Sequence, residues 1–287
     1  MKITEAYIAG WKALLQHKKM WLGLYGIQLF VAFFAAIPFS GFLGRTVGHS
    51  LDLTNSLGRF DYTFLNDFLL NYGSGFKALL NQSTGFILLY FILMAFLMGG
   101  ILTILKSWKQ TESLSSFFLG SGHFFWRILR LSVYFLFFQG ILITLFGFLF
   151  LKATNDMSLF ELENEIIIIN AVMVLLPIYL ILSSILFLIH DLAKLFLVQE
   201  DKYWLTSIIR DAFKKVFKQL RIYYPLYLLN ILTFVFLTVI YVLVRGQVAP
   251  TSMGQVALVF VIGQLYLFFR MGLKVVNLGS LNEVVAS

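Results

Sequence analysis

The chain has 287 residues, of which 60% are hydrophobic and only 13% are charged. Soluble domains are typically about 25% charged, so this composition excludes an ordinary soluble protein and predicts an integral membrane protein. There is no cysteine, which excludes disulfides and cysteine-ligated metal sites. The formal net charge is +8, but the basic residues flank apolar segments, which favours a membrane surface over nucleic acid as the partner.

Six apolar segments are long enough to cross a bilayer, because a transmembrane helix needs about 20 consecutive apolar residues. Helices are expected, since lipid offers the backbone no hydrogen-bond partners. We therefore predict an all-α polytopic protein that forms one integral membrane domain over residues 1–287. The predicted spans are approximately 20–44, 85–105, 128–151, 166–189, 222–244 and 253–271.

Each pair of spans follows a short segment that combines basic and aromatic residues. The three segments begin at Ala9-Gly10-Trp11-Lys12, at Ser116-Phe117-Phe118 and at Arg210-Asp211-Ala212-Phe213. In the first and third, apolar residues recur at helical spacing, which predicts amphipathic helices that lie on the membrane surface. Gly120 and Gly122 weaken the second as a helix. The fold is therefore predicted to be three hairpins, each preceded by an amphipathic segment, and both duplication and convergence explain the repeat.

The longest connection, residues 45–84, follows the first span. Phe64 and Phe68 belong to a helical repeat of apolar residues, which predicts an amphipathic helix that ends at Gly73-Ser74-Gly75. A second, shorter helix is predicted to begin at Phe76. We interpret this connection as a structural cap over the bundle, with a ligand lid or partner site as the alternative.

The distribution of basic residues predicts the orientation. Seventeen of the 22 Lys and Arg residues lie in the termini and in the second and fourth connections, with their flanks. By the positive-inside rule, both termini are cytoplasmic, and the amphipathic segments face the anionic headgroups of that leaflet. The predicted headgroup contacts are Lys12, Lys18, Lys19, Arg127, Arg130, Lys214, Lys215 and Lys218.

Two stretches carry a family resemblance. The first is Gly99-Gly100-Ile101-Leu102 followed by residues 115–130, and the second is His190-Asp191-Leu192-Ala193-Lys194 followed by residues 198–201 and 209–215. Together they resemble a bacterial family of uncharacterised six-span membrane proteins. More distantly, the layout is similar to the membrane domain attached to some glycerophosphodiester phosphodiesterases, but this sequence contains no soluble phosphodiesterase domain. The resemblance implies the six-span fold and the bacterial cytoplasmic (inner) membrane, and it implies no reaction.

The motif after the fourth span is the main candidate site. Asp191 and Lys194 are spaced i, i+3 and can pair, and Arg210 follows on the third amphipathic segment. We interpret these three residues as a structural clasp, with a proton-relay or headgroup role as the alternative. An intramembrane enzyme that uses His190 with Asp191 is a weaker hypothesis, because the sequence holds no recognised catalytic motif and no metal-ligand spacing. No cofactor is expected.

Polar residues in the interior of the predicted spans are few and uncharged. Hydrogen bonds between helices, worth about 0.6 kcal/mol each, explain them adequately. A polar cavity is the alternative, and its candidate lining residues are Gln28, Gln139, Asn230 and Gln264.

These observations favour a non-enzymatic membrane protein that acts through lipid or protein contacts, in envelope assembly or scaffolding. The expected partners are anionic lipid headgroups and a protein partner. The alternative is a transporter or channel for an uncharged or amphipathic solute, which requires a continuous polar cavity.

Overall fold

The computed structural model describes residues 3–46, 62–107, 114–154, 165–248 and 252–286. Within these ranges the chain forms eight helices and no strand. The helices are α1 (Ile3–Gln16), α2 (Lys18–Thr46), α3 (Tyr62–Lys106), α4 (Leu114–Ala153), α5 (Glu165–Gln199), α6 (Leu205–Lys218), α7 (Leu220–Gly246) and α8 (Met253–Ala286).

Six helices are long and apolar enough to cross a membrane: α2, α3, α4, α5, α7 and α8. The predicted all-α, six-span class is therefore confirmed, and the chain is a multi-pass membrane protein. Because the number of spans is even, α1 and the end of α8 lie on the same side. We call this the proximal side and the opposite one the distal side.

Two spans continue beyond their predicted ends. Helix α5 runs past Ile189 to Gln199, and α8 runs past Met271 to Ala286. The added turns contain Asp191 and Lys274, which resemble flanking charges in the sequence. Their other faces are apolar and buried, so the helices continue as part of the packed core.

The connection after the first span also differs from the prediction. Helix α3 is continuous from Tyr62, so the predicted break at Gly73-Ser74-Gly75 is wrong. A glycine inside a helix costs only about 1 kcal/mol, and packing offsets that cost here. A Cβ added to Gly75 would lie 2.8 Å from a ring carbon of Phe42 in α2, so the two helices pack closely at this point. The rest of the predicted cap, residues 47–61, lies outside the described residues.

The three hairpins pack on one another through the same type of contact, which is repeated around the bundle. The second spans of the three hairpins (α3, α5 and α8) contact one another at the centre. We call α1, the start of α4 and α6 the interfacial segments, after the position predicted for them from the sequence. Each packs on the second span of another hairpin. The start of α4 packs on α3, α6 packs on α5, and α1 packs on α8, which closes the ring.

Small residues make two of these contacts very close. A Cβ added to Gly10 of α1 would lie 2.5 Å from the carbonyl oxygen of Val276 in α8. A Cβ added to Gly120 of α4 would lie 2.6 Å from Cβ of Thr103 in α3. Such close approach is typical of membrane helices, which associate through packing. Gly120, which weakens the second segment as a helix, is therefore required by its packing.

The buried core lies in the proximal half of the bundle. It is formed mainly by residues 95–105 of α3, 188–198 of α5 and 271–281 of α8, with the interfacial segments packed around them. The distal halves carry most of the exposed large apolar side chains. The bundle is therefore closely packed at its proximal end, and space remains between the spans on the distal side of this core.

Candidate functional site

Two adjoining cavities lie between the spans. The larger, which we call the central cavity, has a volume of about 680 Å³ and is lined by α2, α3, α7 and α8. The smaller, the side cavity, has a volume of about 240 Å³ and is lined by α3, α4, α5 and α8. Both are partly open, and both are lined by Phe91, Met94 and Lys274. The central cavity falls within the range of about 300–1,000 Å³ that small-molecule sites occupy.

One face of α8 supplies the main polar groups of the central cavity. Arg270, Lys274 and Asn277 all line it, at positions i, i+4 and i+7. This spacing places the three side chains on one helix face, about 6 Å and then about 4.5 Å apart along the axis. In the sequence, Arg270 and Lys274 look like basic flanks of the last span. The helical spacing with Asn277 was the signal for an inward face.

Asp191 is held by partners from two helices. Lys194 Nζ donates to Asp191 Oδ1 at 3.0 Å, and Asn277 Nδ2 donates to Asp191 Oδ2 at 2.9 Å. The side chains of Asp191 and Lys194 are only 17% and 8% exposed. This buried network ties α5 to α8 and engages both carboxylate oxygens.

Arg210 does not occupy the place predicted for it. Its Nε lies 3.9 Å from the carboxylate of Asp211, its own neighbour in α6, and its side chain is largely exposed. Asn277 is the second partner of Asp191 instead. The clasp therefore joins α5 to α8, and not α5 to α6 as the sequence suggested.

The charges around the two cavities do not balance. Lys194 offsets Asp191 in a direct ion pair. Lys274 and Arg270 have no ion-pair partner within the described ranges, although Arg270 lies over the ring of Phe234 at 5.9 Å. Unpaired cations between membrane spans are costly, and such residues usually mark a ligand or ion path. The site is therefore suited to an anion.

Residues that line the cavities also carry buried polar atoms without a hydrogen-bond partner. Around the central cavity these are Gln28 Oε1, Asn230 Oδ1 and Asn277 Oδ1. Buried polar atoms are normally hydrogen-bonded, so such atoms beside a cavity point to a missing donor. Around the side cavity, Gln139 Oε1 is a further unpaired acceptor, and His190 Nε2 is an unpaired nitrogen that donates or accepts according to the ring's tautomer.

Three of the four predicted cavity residues therefore line a cavity, namely Gln28, Asn230 and Gln139. The fourth, Gln264, accepts a hydrogen bond from Tyr25 OH at 2.8 Å. His190 lines the side cavity and stacks on Phe135 with 4.5 Å between ring centroids.

Arg127, which was predicted to contact headgroups, is buried. It donates to Asp201 Oδ1 at 2.7 Å and lies 2.9 Å from His123 Nε2. It thereby anchors the α5–α6 connection to α4, and its guanidinium is engaged within the protein. The other predicted headgroup residues are at least partly exposed: Lys12, Lys18, Lys19, Arg130, Lys214, Lys215 and Lys218.

This anchor predicts a pH dependence of stability. The hydrogen bond from Arg127 holds the pKa of Asp201 below its usual range. Because the pKa of Asp201 is lower in the folded state, the contact stabilises the protein fully at pH values above the unfolded-state pKa of about 3.9. This stabilisation is lost as the pH falls through the lowered, folded-state pKa. Asp201→Asn removes the charge but tolerates the left-handed backbone, φ 48°, of Asp201.

Thermal unfolding in detergent between neutral pH and about pH 3 measures this effect, since the usual pKa is about 3.9. The wild type should be the more stable protein at neutral pH, and its advantage over Asp201→Asn should shrink as the medium becomes acidic. An advantage that is independent of pH would contradict the role assigned to the Arg127–Asp201 contact.

Fold and cavity together define a multi-pass helical membrane protein with a cationic cavity between its spans. A scan against protein-family models and searches of curated proteins and solved structures found no match to the chain.

Proposed function

We propose that the protein binds an anionic amphiphile of the membrane in its central cavity and acts without catalysing a reaction. The observation that carries the proposal is the pair of unpaired cations, Lys274 and Arg270, on one inward face of α8. Together with the Asp191–Lys194 pair they leave an excess of positive charge. An anionic group would offset this excess.

The walls of the cavity favour an amphiphile over a small hydrophilic anion. Ile87, Phe91, Ile231 and Phe234 line it together with the polar groups. Lys274 lies about 31 Å along α8 from the distal end of that helix, close to the thickness of the hydrocarbon layer. A headgroup at the level of Lys274 would therefore lie near the proximal membrane surface, with its chains against the apolar walls.

The charge distribution supports an orientation with both termini in the cytoplasm, and the family resemblance implies the bacterial inner membrane. In that orientation the proximal side is cytoplasmic, and the ligand comes from the inner leaflet. The exposed lysines of α1 and α6 would attract the same class of lipid. Helix α6 buries Ile208, Ala212 and Val216 and exposes Phe213 and Phe217, so its aromatic residues can enter the interface.

Transport of an amphipathic solute is the second candidate, and the cavity lined by Gln28 and Asn230 is the observation that favours it. The packed proximal core would have to open in each cycle. The enzyme hypothesis has less support, because both oxygens of Asp191 are engaged by Lys194 and Asn277.

Lys274→Gln tests the proposal. The purified protein in a neutral detergent is titrated with phosphatidylglycerol and with phosphatidylcholine, and bound lipid is counted by native mass spectrometry. The wild type should prefer phosphatidylglycerol, and the variant should bind it roughly tenfold more weakly, because one hydrogen bond to a charged group is worth about 1.5 kcal/mol or more.

Lys77→Gln is the matched control, since Lys77 is an exposed cation of α3 outside both cavities. It should bind as the wild type does. Equal binding of the two lipids by the wild type, or an unchanged affinity in Lys274→Gln, would overturn the proposal.

A further inference from the structure

The unpaired acceptors of the central cavity carry an inference that rests on the proposed function and makes it more specific. We infer that the headgroup bound there carries free hydroxyl groups beside its phosphate, as a polyol phosphodiester does. The phosphate would pair with the cations of α8, Arg270 and Lys274. The hydroxyls would donate hydrogen bonds to the amide oxygens around these cations.

The orientation of two of these amides is set by their other contacts. Asn277 Nδ2 donates to the carboxylate of Asp191, and Asn230 Nδ2 donates to the carbonyl oxygen of Leu226 at 3.0 Å. Carboxylate and carbonyl oxygens only accept, so neither amide can be turned over without losing a bond. The oxygens of both amides are consequently left free. Asn230 is only 7% exposed, and its oxygen has no donor among the described residues.

An uncharged hydroxyl is the lipid headgroup donor that best suits this place. A phosphate or carboxylate brings acceptors and satisfies the cations alone. An ammonium group donates, but Arg270 and Lys274 repel it, because like charges nearby are unfavourable where screening is weak. A hydroxyl donates without charge. Asn277 lies on the same face of α8 as the two cations, so a ligand bound to the cations would lie beside it.

Two lipids of equal charge test the inference. Phosphatidylglycerol and phosphatidylmethanol are both phosphodiesters with a single negative charge, and only the first carries hydroxyls. The wild-type protein should bind phosphatidylglycerol about tenfold more tightly, because unpaired buried acceptors cost about 1–3 kcal/mol.

Gln28→Met and Asn230→Leu each remove one acceptor at nearly constant volume. Each should reduce the preference for phosphatidylglycerol and leave the affinity for phosphatidylmethanol unchanged, which a loss of folding would not do. Gln264→Met is the control, because Gln264 bonds to Tyr25 and lines neither cavity. It should keep the full preference.

The outcomes separate the inference from the proposed function. Equal binding of both anionic lipids, each above phosphatidylcholine, overturns the inference and leaves the proposed function standing. Binding of neither above phosphatidylcholine overturns the proposed function. Competition by soluble glycerol 3-phosphate at an affinity similar to that of phosphatidylglycerol supports the hydroxyl inference and assigns the ligand to a free phosphate ester.

Discussion

Replacing Asp191 by asparagine is expected to destabilise the protein by about 3 kcal/mol, the magnitude found when one partner of a buried ion pair is removed. The carboxylate is the partner of Lys194, whose side chain is only 8% exposed. Asparagine has nearly the same shape as aspartate, so the loss of stability comes from the missing charge. Without the carboxylate, the two adjoining cavities together hold three cations, Lys194, Lys274 and Arg270, and none of them has an ion-pair partner among the described residues.

A double variant separates charge from packing. Asp191→Asn with Lys194→Met removes both charges and should recover most of the lost stability, because replacing a buried pair with apolar groups is often neutral. Asp211→Asn is the control, since Asp211 pairs with Lys202 at 2.9 Å on the more exposed α6. That pair is solvent-exposed and should contribute little to stability.

Equilibrium unfolding in mixed micelles measures the three differences. If Asp191→Asn were as stable as Asp211→Asn, the buried pair would have no structural role. If the double variant were no better than the single one, the damage would lie in lost contacts to Asn277 and not in the unpaired charge.

Gly10→Ala is expected to destabilise the bundle by about 1–3 kcal/mol, as overpacking does. The added methyl group would lie 2.5 Å from the carbonyl oxygen of Val276 and 3.0 Å from the backbone nitrogen of Ser280. Backbone atoms inside a helix cannot rotate away, so α1 would have to move off α8. The loss exceeds the gain in helix propensity, which is at most about 1 kcal/mol.

Gly26→Ala is the matched control, because a Cβ at Gly26 meets no atom within 4 Å. It should be neutral or slightly stabilising when unfolding is followed in the same micelles. Gly120→Ala repeats the test at the second interfacial contact, and Gly122→Ala, two residues away in the same helix with open space, is its control. Equal stability within each pair would refute the close-packed contacts.

The sequence was sufficient for the class of fold and for the approximate spans, because length and apolarity alone determine which segments can cross a bilayer. It was not sufficient for the site. Arg270 and Lys274 end a hydrophobic run, and a charge at such a point usually faces water. Here α8 continues beyond them, and both side chains line the central cavity. That orientation is set by the helices that pack around α8, so it could not be predicted from the local sequence.

The partners of the predicted clasp show the same limit. Asp191 and Lys194 are neighbours on one helix, so their pairing could be predicted from spacing. Asn277 comes from α8, and no local pattern connects it to Asp191. Arg210 was favoured because it is near in sequence, yet α6 packs with that side chain outward. Arg127 resembles any basic flank, and only the turn at Asp201 shows why it is buried.

The packing of α1 on α8 has a consequence for synthesis. A chain is made from its N-terminus, so α1 is complete long before the helix on which it packs. The start of α4 packs on α3, and α6 packs on α5, so each of these segments meets a partner that has already been inserted. Gly10 of α1, in contrast, has no partner until α8 enters the membrane. The ring can close only after α8 has been made and inserted, and the cationic face of the central cavity is added in that same step.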